Sequence, residues 1–133
     1  MSVLEFADTN IVVYAVGLYS EQRTKARRIL AEGVTVSAQV INETVNVLTR
    51  KQGISLPIAH EIAESLLKLC QVVPVDAQTI GIAISLTRRY QLSHWDSLIV
   101  AAALQSGCET LYSQDMQHGQ IFDAQLKVVN PFI

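Results

Sequence analysis

Four carboxylates in this 133-residue chain fall where an apolar, strand-like segment gives way to a loop or helix, or on the helix that follows. Asp8 follows Val3–Ala7, Glu43 follows Val34–Ser37, Asp96 opens Trp95–Ala103 and Asp115 follows Thr110–Ser113. In an open parallel sheet, the space beyond the carboxyl ends of the strands is where ligands bind. Carboxylates gathered there repel one another by several kcal/mol when partly buried. A divalent cation with oxygen ligands is the economical counter-charge. Such a cation suits phosphodiester hydrolysis, which needs a water made nucleophilic at neutral pH and charge stabilisation at phosphorus. One or two Mg²⁺ or Mn²⁺ ions supply both, and the absence of a His/Cys cluster makes zinc a poor candidate.

Each acid also has a purely structural reading. Asp8 is an acceptable N-cap for a helix entered directly from a strand, and Ser93-His94-Trp95-Asp96 matches a capping box. Asp115, in Ser113-Gln114-Asp115-Met116, is placed for an Asx turn, and a lone helical Glu such as Glu43 is most often a surface residue. What favours chemistry is joint position, since all four follow separate strands on one expected edge of a sheet.

The elements that must position these acids are legible in the hydrophobic pattern. Strands are expected at Val3–Ala7, Val34–Ser37, Gln71–Val75, Thr110–Ser113 and Leu126–Val129. Helices are expected from Ile11 to Tyr14, Glu21 to Glu32, Ala38 to Arg50, Leu56 onward with Pro57 in the first turn, Ala77 to Tyr90 after an Asp76 cap, and from Ser93. In the third of these, Val40, Ile41, Val45, Val47 and Leu48 are expected to point inward, with Glu43 near the face carrying Val40, Asn46 and Val47. Ile58, Ile62, Leu66 and Leu69 recur at helical spacing in the next. Strands alternating with helices argue an α/β fold with a mostly parallel sheet covered on both faces.

Bulk properties exclude several classes. Half the residues are apolar and 17% are charged, which argues against intrinsic disorder. No linker or repeat divides the chain, so residues 1–133 are expected to form a single domain. The net charge of −2 gives no global attraction to nucleic acid, so any such substrate must be drawn locally or through bound metal. Basic clusters at Arg23, Lys25, Arg27 and Arg28, at Arg50 and Lys51, and at Arg88 and Arg89 are candidates for that steering. Cys70 and Cys108 fit no metal spacing and read as buried thiols in a reducing compartment. The acidic start, without a basic leader, does not read as a signal peptide, and Leu98–Leu104 is too short to cross a bilayer, so a cytoplasmic location with no membrane partner is expected.

Several motifs carry no chemistry. His60-Glu61-Ile62-Ala63-Glu64 lacks the second His of a zinc-protease helix. Ser37, Ser97 and Ser113 suggest no Ser–His–Asp arrangement. His118 reads as an ordinary loop residue near the expected site.

Asp8-Thr9-Asn10-Ile11-Val12-Val13-Tyr14-Ala15 resembles the opening of PIN-domain ribonucleases of the VapC toxin type. Trp95-Asp96-Ser97-Leu98-Ile99-Val100-Ala101-Ala102-Ala103 resembles that family's third acidic motif, and Leu111–Gly119 its fourth. Val40-Ile41-Asn42-Glu43 occupies the slot of the second, and the ending Val128-Val129-Asn130-Pro131-Phe132 is similar to many members. The resemblance implies a three-layer sandwich around a mostly parallel sheet of about five strands. It implies a Mg²⁺- or Mn²⁺-dependent endoribonuclease that leaves 5′-phosphate and 3′-hydroxyl ends. By position, Asp8 and Asp96 would be principal metal ligands, Glu43 and Asp115 would complete the catalytic site, and Asn10 and Ser113 would orient water or phosphate. The partners implied are an RNA substrate, a cognate antitoxin protein and a second copy in a homodimer. Two rival readings are an inert binding or scaffold module on the same fold and a phosphatase of another α/β family. The phosphatase commonly has an Asp two residues beyond the first, where this chain has Asn10.

Overall fold

The computed structural model describes residues 4–133. In chain order the elements are β1 (Glu5–Ala7), α1 (Thr9–Val16), α2 (Arg23–Ala31), β2 (Thr35–Ser37), α3 (Ala38–Arg50), α4 (Leu56–Leu69), β3 (Gln71–Val73), α5 (Ala77–Tyr90), α6 (His94–Gln105), β4 (Thr110–Tyr112), β5 (Ile121–Phe122) and β6 (Leu126–Val129). Of the expected first strand, Val3 lies outside the described residues.

The sheet runs β3-β2-β1-β4-β6-β5, parallel throughout except for the antiparallel β5–β6 pair. From β1 the chain steps outward through β2 to β3, then returns past β1 to build β4 and β6 on the other side. The order therefore reverses between β1 and β4, and in open α/β sheets the crevice at that switch point is where ligands sit. Because parallel crossovers are right-handed, reversing direction moves the connecting helices to the opposite face. The helix contacts fall into two matching sets: α1 packs on α2 and α3, and α3 on α4, while α5 packs on α6.

The core is built on β1, β2 and β4, whose Phe6, Ala7, Val36 and Leu111 are completely buried. Burying each large apolar side chain stabilises the fold by about 1.5–3 kcal/mol. Helix α6 is buried along its whole middle, Ser97 through Ala103. Three successive alanines, Ala101–Ala103, let it lie close against the sheet and α5. In α3, Val40, Ile41 and Leu48 are buried as expected, whereas Val45 and Val47 are only half-buried. In α4 the expected apolar repeat is only partly used: Leu66 is buried, but Ile58 and Leu69 stay 52% and 53% exposed. Helix α4 flanks β3, the outermost strand on that side, so little of the protein lies beyond it.

Among the described residues the sheet has six strands rather than about five. The additional one, β5, is two residues long and pairs Ile121 with Lys127 and Phe122 with Leu126. Its reversal carries no glycine. Gln125 N–H donates to the Phe122 carbonyl across a turn whose central residues, Asp123 and Ala124, have φ of 50° and 53°. Asp tolerates that region but Ala does not, so the usual hairpin signal was missing from the sequence. The turn is held by Asp123, whose carboxylate accepts from Arg89 and from the Tyr90 hydroxyl. Ala124→Gly is expected to stabilise the protein by about 1 kcal/mol, read as a higher urea midpoint with unchanged slope.

Candidate active site

Each carboxylate is placed by a local rule. Asp8 leaves the end of β1 in extended conformation and caps α1, its Oδ1 accepting from Thr9 N–H at 2.7 Å. Its own N–H donates to the Tyr112 carbonyl at the end of β4, fixing it at the switch point. Ser37 caps α3 by accepting from Val40 N–H, which sets the helix phase and turns Glu43 toward α1. Ser93 caps α6 by accepting from Asp96 N–H at 3.1 Å, half of the expected capping box. Capping and site placement hold together for both aspartates.

Asp8, Glu43, Asp96 and Asp115 line one cavity of about 320 Å³ at the carboxyl edge of the sheet. Thr9, Asn10, Tyr14, Gln39, Lys51 and Trp95 share its walls. Glu43 stands on the α3 stripe Gln39–Glu43–Val47–Lys51, at four-residue spacing; Asn46, expected near it, is exposed and does not line the cavity. Asp115 is exposed and is no Asx-turn residue facing its own backbone. Its Oδ2 accepts from Asn10 Nδ2 at 3.1 Å, while Asn10 Oδ1 accepts from Gln114 N–H at 3.2 Å. The Tyr14 hydroxyl donates to Gln114 Oε1. Asn10 and Tyr14, four residues apart on α1, thereby hold the loop that carries Asp115.

Ser113 sits beneath the site, not on its wall. Its hydroxyl donates to Asp8 Oδ2 at 2.8 Å and accepts from Met116 N–H. Two residues that the sequence did not single out hold Glu43: Thr9 Oγ1 donates to its Oε2 at 2.6 Å and Gln39 Nε2 to its Oε1 at 2.9 Å. Gln39 stands four residues before Glu43, a spacing that places helical side chains together. The Thr9 contact spans 34 residues and had no local signal.

The electrostatics are those of an uncompensated acidic cluster. Asp8, 7% exposed, has its carboxyl pKa pushed up from 3.8 to about 6, chiefly by burial. The Ser113 and Thr9 hydrogen bonds oppose this, and the charges of Asp96 and Glu43 add to it. Asp96 is also raised, first by burial, against a lowering bond from Ser93, with Asp115 and Glu43 contributing repulsion. The four acids thus feel one another across the cavity. Among the described residues no three Asp, Glu, His or Cys side chains already stand as a closed metal-ligating group. The donor chemistry nevertheless fits a hard cation: carboxylate oxygens only, one of them buried and destabilised in its charged form.

Several of the remaining candidates have structural partners. Ser97 is fully buried and hydrogen-bonds Thr87 Oγ1, and His118 Nδ1 accepts from Asn130 N–H outside the cavity. Of the basic clusters, Arg23 donates to the Gly17 carbonyl, Lys25 to the Pro131 carbonyl, Arg27 to the Ala15 carbonyl, and Arg89 pairs with Asp123. Among the described residues, Lys51 is the one basic residue on the cavity wall. Cys70 and Cys108 are buried free thiols. No helix among the described residues is long and apolar enough to cross a membrane.

A PIN-domain family model matches residues 6–121. No curated protein matches the chain. Among solved structures, VapC20 of Mycobacterium tuberculosis, a sarcin–ricin-loop-cleaving toxin, is similar at 23% identity and TM-score 0.70, over 84% of this chain and 89% of that one. A toxin–antitoxin complex from Klebsiella pneumoniae is similar at 18% identity and TM-score 0.72, over 98% of each chain. FitAcB from Neisseria gonorrhoeae is similar at 25% identity and TM-score 0.70, over 97% of this chain and 99% of that one. The family match covers most of the chain, including Asp8, Glu43, Asp96 and Asp115, and the α/β fold is shared with VapC20. The chain belongs to the PIN-domain family.

Proposed function

We propose that this protein is a Mg²⁺- or Mn²⁺-dependent endoribonuclease, the toxin of a toxin–antitoxin pair. The observation that carries the reading is the convergence of Asp8, Glu43, Asp96 and Asp115, from four separate elements, on one cavity at the switch point of the sheet. The cleavage named for VapC20 and the assembly named for the Klebsiella complex support the same direction.

Asp8 and Asp96 would hold the cation, with Glu43 and Asp115 completing the site directly or through water. When bound, the cation supplies positive charge for the phosphate oxygens and lowers the pKa of water at neutral pH. The chain's own residues do the positioning. Ser113 and Thr9 N–H fix the Asp8 carboxylate, Thr9 and Gln39 fix Glu43, and Asn10 fixes Asp115. Catalytic geometry of this kind depends on side chains held by such neighbours. The buried floor of Ile99 and Val13 limits water on one side of the cavity and strengthens each charge interaction.

Exposed apolar side chains on α4 (Leu56, Ile58, Leu67, Leu69) and α5 (Ile80, Ile84) offer surface for an antitoxin segment and for a second copy. The end chemistry of the products tests the reaction. Water attack leaves 5′-phosphates, which accept a 3′-end ligation partner without prior kinase treatment. Products carrying 5′-hydroxyls and 2′,3′-cyclic phosphates would instead mean attack by the ribose, and the hydrolytic reading would fall.

A further inference from the structure

We propose that Trp95 is a stacking platform for an unpaired base of the substrate RNA, with Lys51 contacting a phosphate of the same strand across the cavity. The inference rests on the ribonuclease reading and extends it to the substrate's form.

Trp95 is the chain's only tryptophan and is 64% exposed, while its neighbour Asp96 faces the cavity floor. Nothing in the fold requires a large aromatic there. Its backbone is nevertheless firmly seated. It lies in the first turn of α6, whose cap Ser93 is in place, and Gln39 Nε2 from α3 reaches its carbonyl at 3.4 Å. Its ring meets His94 edge-on at 70° and 5.7 Å, and among the described residues no aromatic ring lies parallel to it. An exposed indole on a fixed helix backbone offers an open face to a base.

Opposite, Lys51 caps the C-terminus of α3 and is exposed, and among the described residues no hydrogen bond or ion pair engages its ammonium. Two helical turns separate it from Glu43, about 12 Å along the axis. An aromatic and a cation flanking an acidic cavity give a negatively charged protein the local purchase on RNA that its −2 charge denies it overall. Stacking tolerates every base but requires an unpaired one, so the substrate class is a single-stranded or looped segment.

The lone tryptophan makes the test direct. Asp8→Asn protein, which keeps the RNA intact, is titrated with end-labelled ten-nucleotide oligo(U) or oligo(A), following label anisotropy and tryptophan emission together. Emission should be quenched in step with binding. Trp95→Ala should weaken binding roughly 5- to 100-fold and Trp95→Phe much less, at unchanged thermal midpoint. Lys51→Ala should reduce the slope of log affinity against log salt by about 0.7. Oligonucleotide that binds without quenching, and binds Trp95→Ala equally well, overturns the platform while the ribonuclease reading stands. Equal quenching by a blunt duplex overturns the requirement for an unpaired base. Failure of every oligonucleotide to bind at low salt overturns both readings.

Discussion

Asp8→Asn is expected to melt at a higher temperature than the wild-type chain at neutral pH without metal, and to cleave no RNA. The expectation follows from the buried carboxylate. Its pKa stands at about 6 in the fold against 3.8 for the free group, so the folded state prefers it protonated. A carboxyl raised in this way adds stability that is complete below its unfolded value and is lost as pH climbs through the folded one. At about 1.4 kcal/mol for each tenfold change in proton affinity, the gap amounts to roughly 3 kcal/mol at pH 7. Asn keeps the cap on Thr9, since Asn and Asp serve about equally there. The Ser113 hydroxyl must find a neutral acceptor, which offsets about 1 kcal/mol. A net gain of about 1–2 kcal/mol remains. Melting curves in EDTA at pH 4 and pH 7 check it: the variant's advantage should be present at pH 7 and vanish near pH 4. A variant less stable than wild type at both would show that Asp8 is not held in its charged form against the preference of the fold.

The second large effect is on metal. Mg²⁺ or Mn²⁺ at 100 times its dissociation constant should stabilise the wild-type chain by about 2.7 kcal/mol. For a chain of this length that is a rise of roughly 10 °C in melting temperature. The cation must displace protons from Asp8 and Asp96, both raised by burial, so the rise should shrink as pH falls through about 6. Asp8→Asn should show little of it. An equal rise from K⁺ at matched ionic strength would identify screening rather than a site.

The two effects share one cause. A cluster that burdens the metal-free fold is the same cluster that offers a cation its binding energy, the trade between stability and function expected of an active site.

The sequence carried most of the architecture because local and tertiary signals agree. Helix α3 and helix α5 begin and end where the sequence places them; Asp76 caps α5 in its expected role, and Ser37, read only as the end of a strand, caps α3. The acids were readable because a strand end followed by a cap is a local pattern, even though the cavity joins residues about a hundred positions apart. Other features were out of reach. Strand β5 is too short for a period, and its turn puts Ala124 where Gly would have signalled a reversal. The α4 repeat looked like core because spacing reports a face, not what covers it. The supports of the site, Thr9 on Glu43 and Asn10 on the Gln114–Asp115 loop, depend on contacts that only the closed fold creates. Four of the eight basic residues read as candidates for RNA steering, Arg23, Lys25, Arg27 and Arg89, hold backbone carbonyls or an ion pair, because a long cationic side chain finds such acceptors wherever the chain passes nearby.

The most direct measurement is cleavage of total cellular RNA by wild type, Asp8→Asn and Asp96→Asn, each with Mg²⁺, Mn²⁺ or EDTA. Cleavage by wild type with either metal, lost in EDTA and in both variants although they remain folded, is the expected result. Cleavage that persists in EDTA, or in either variant, would contradict a metal-dependent hydrolase built on these carboxylates.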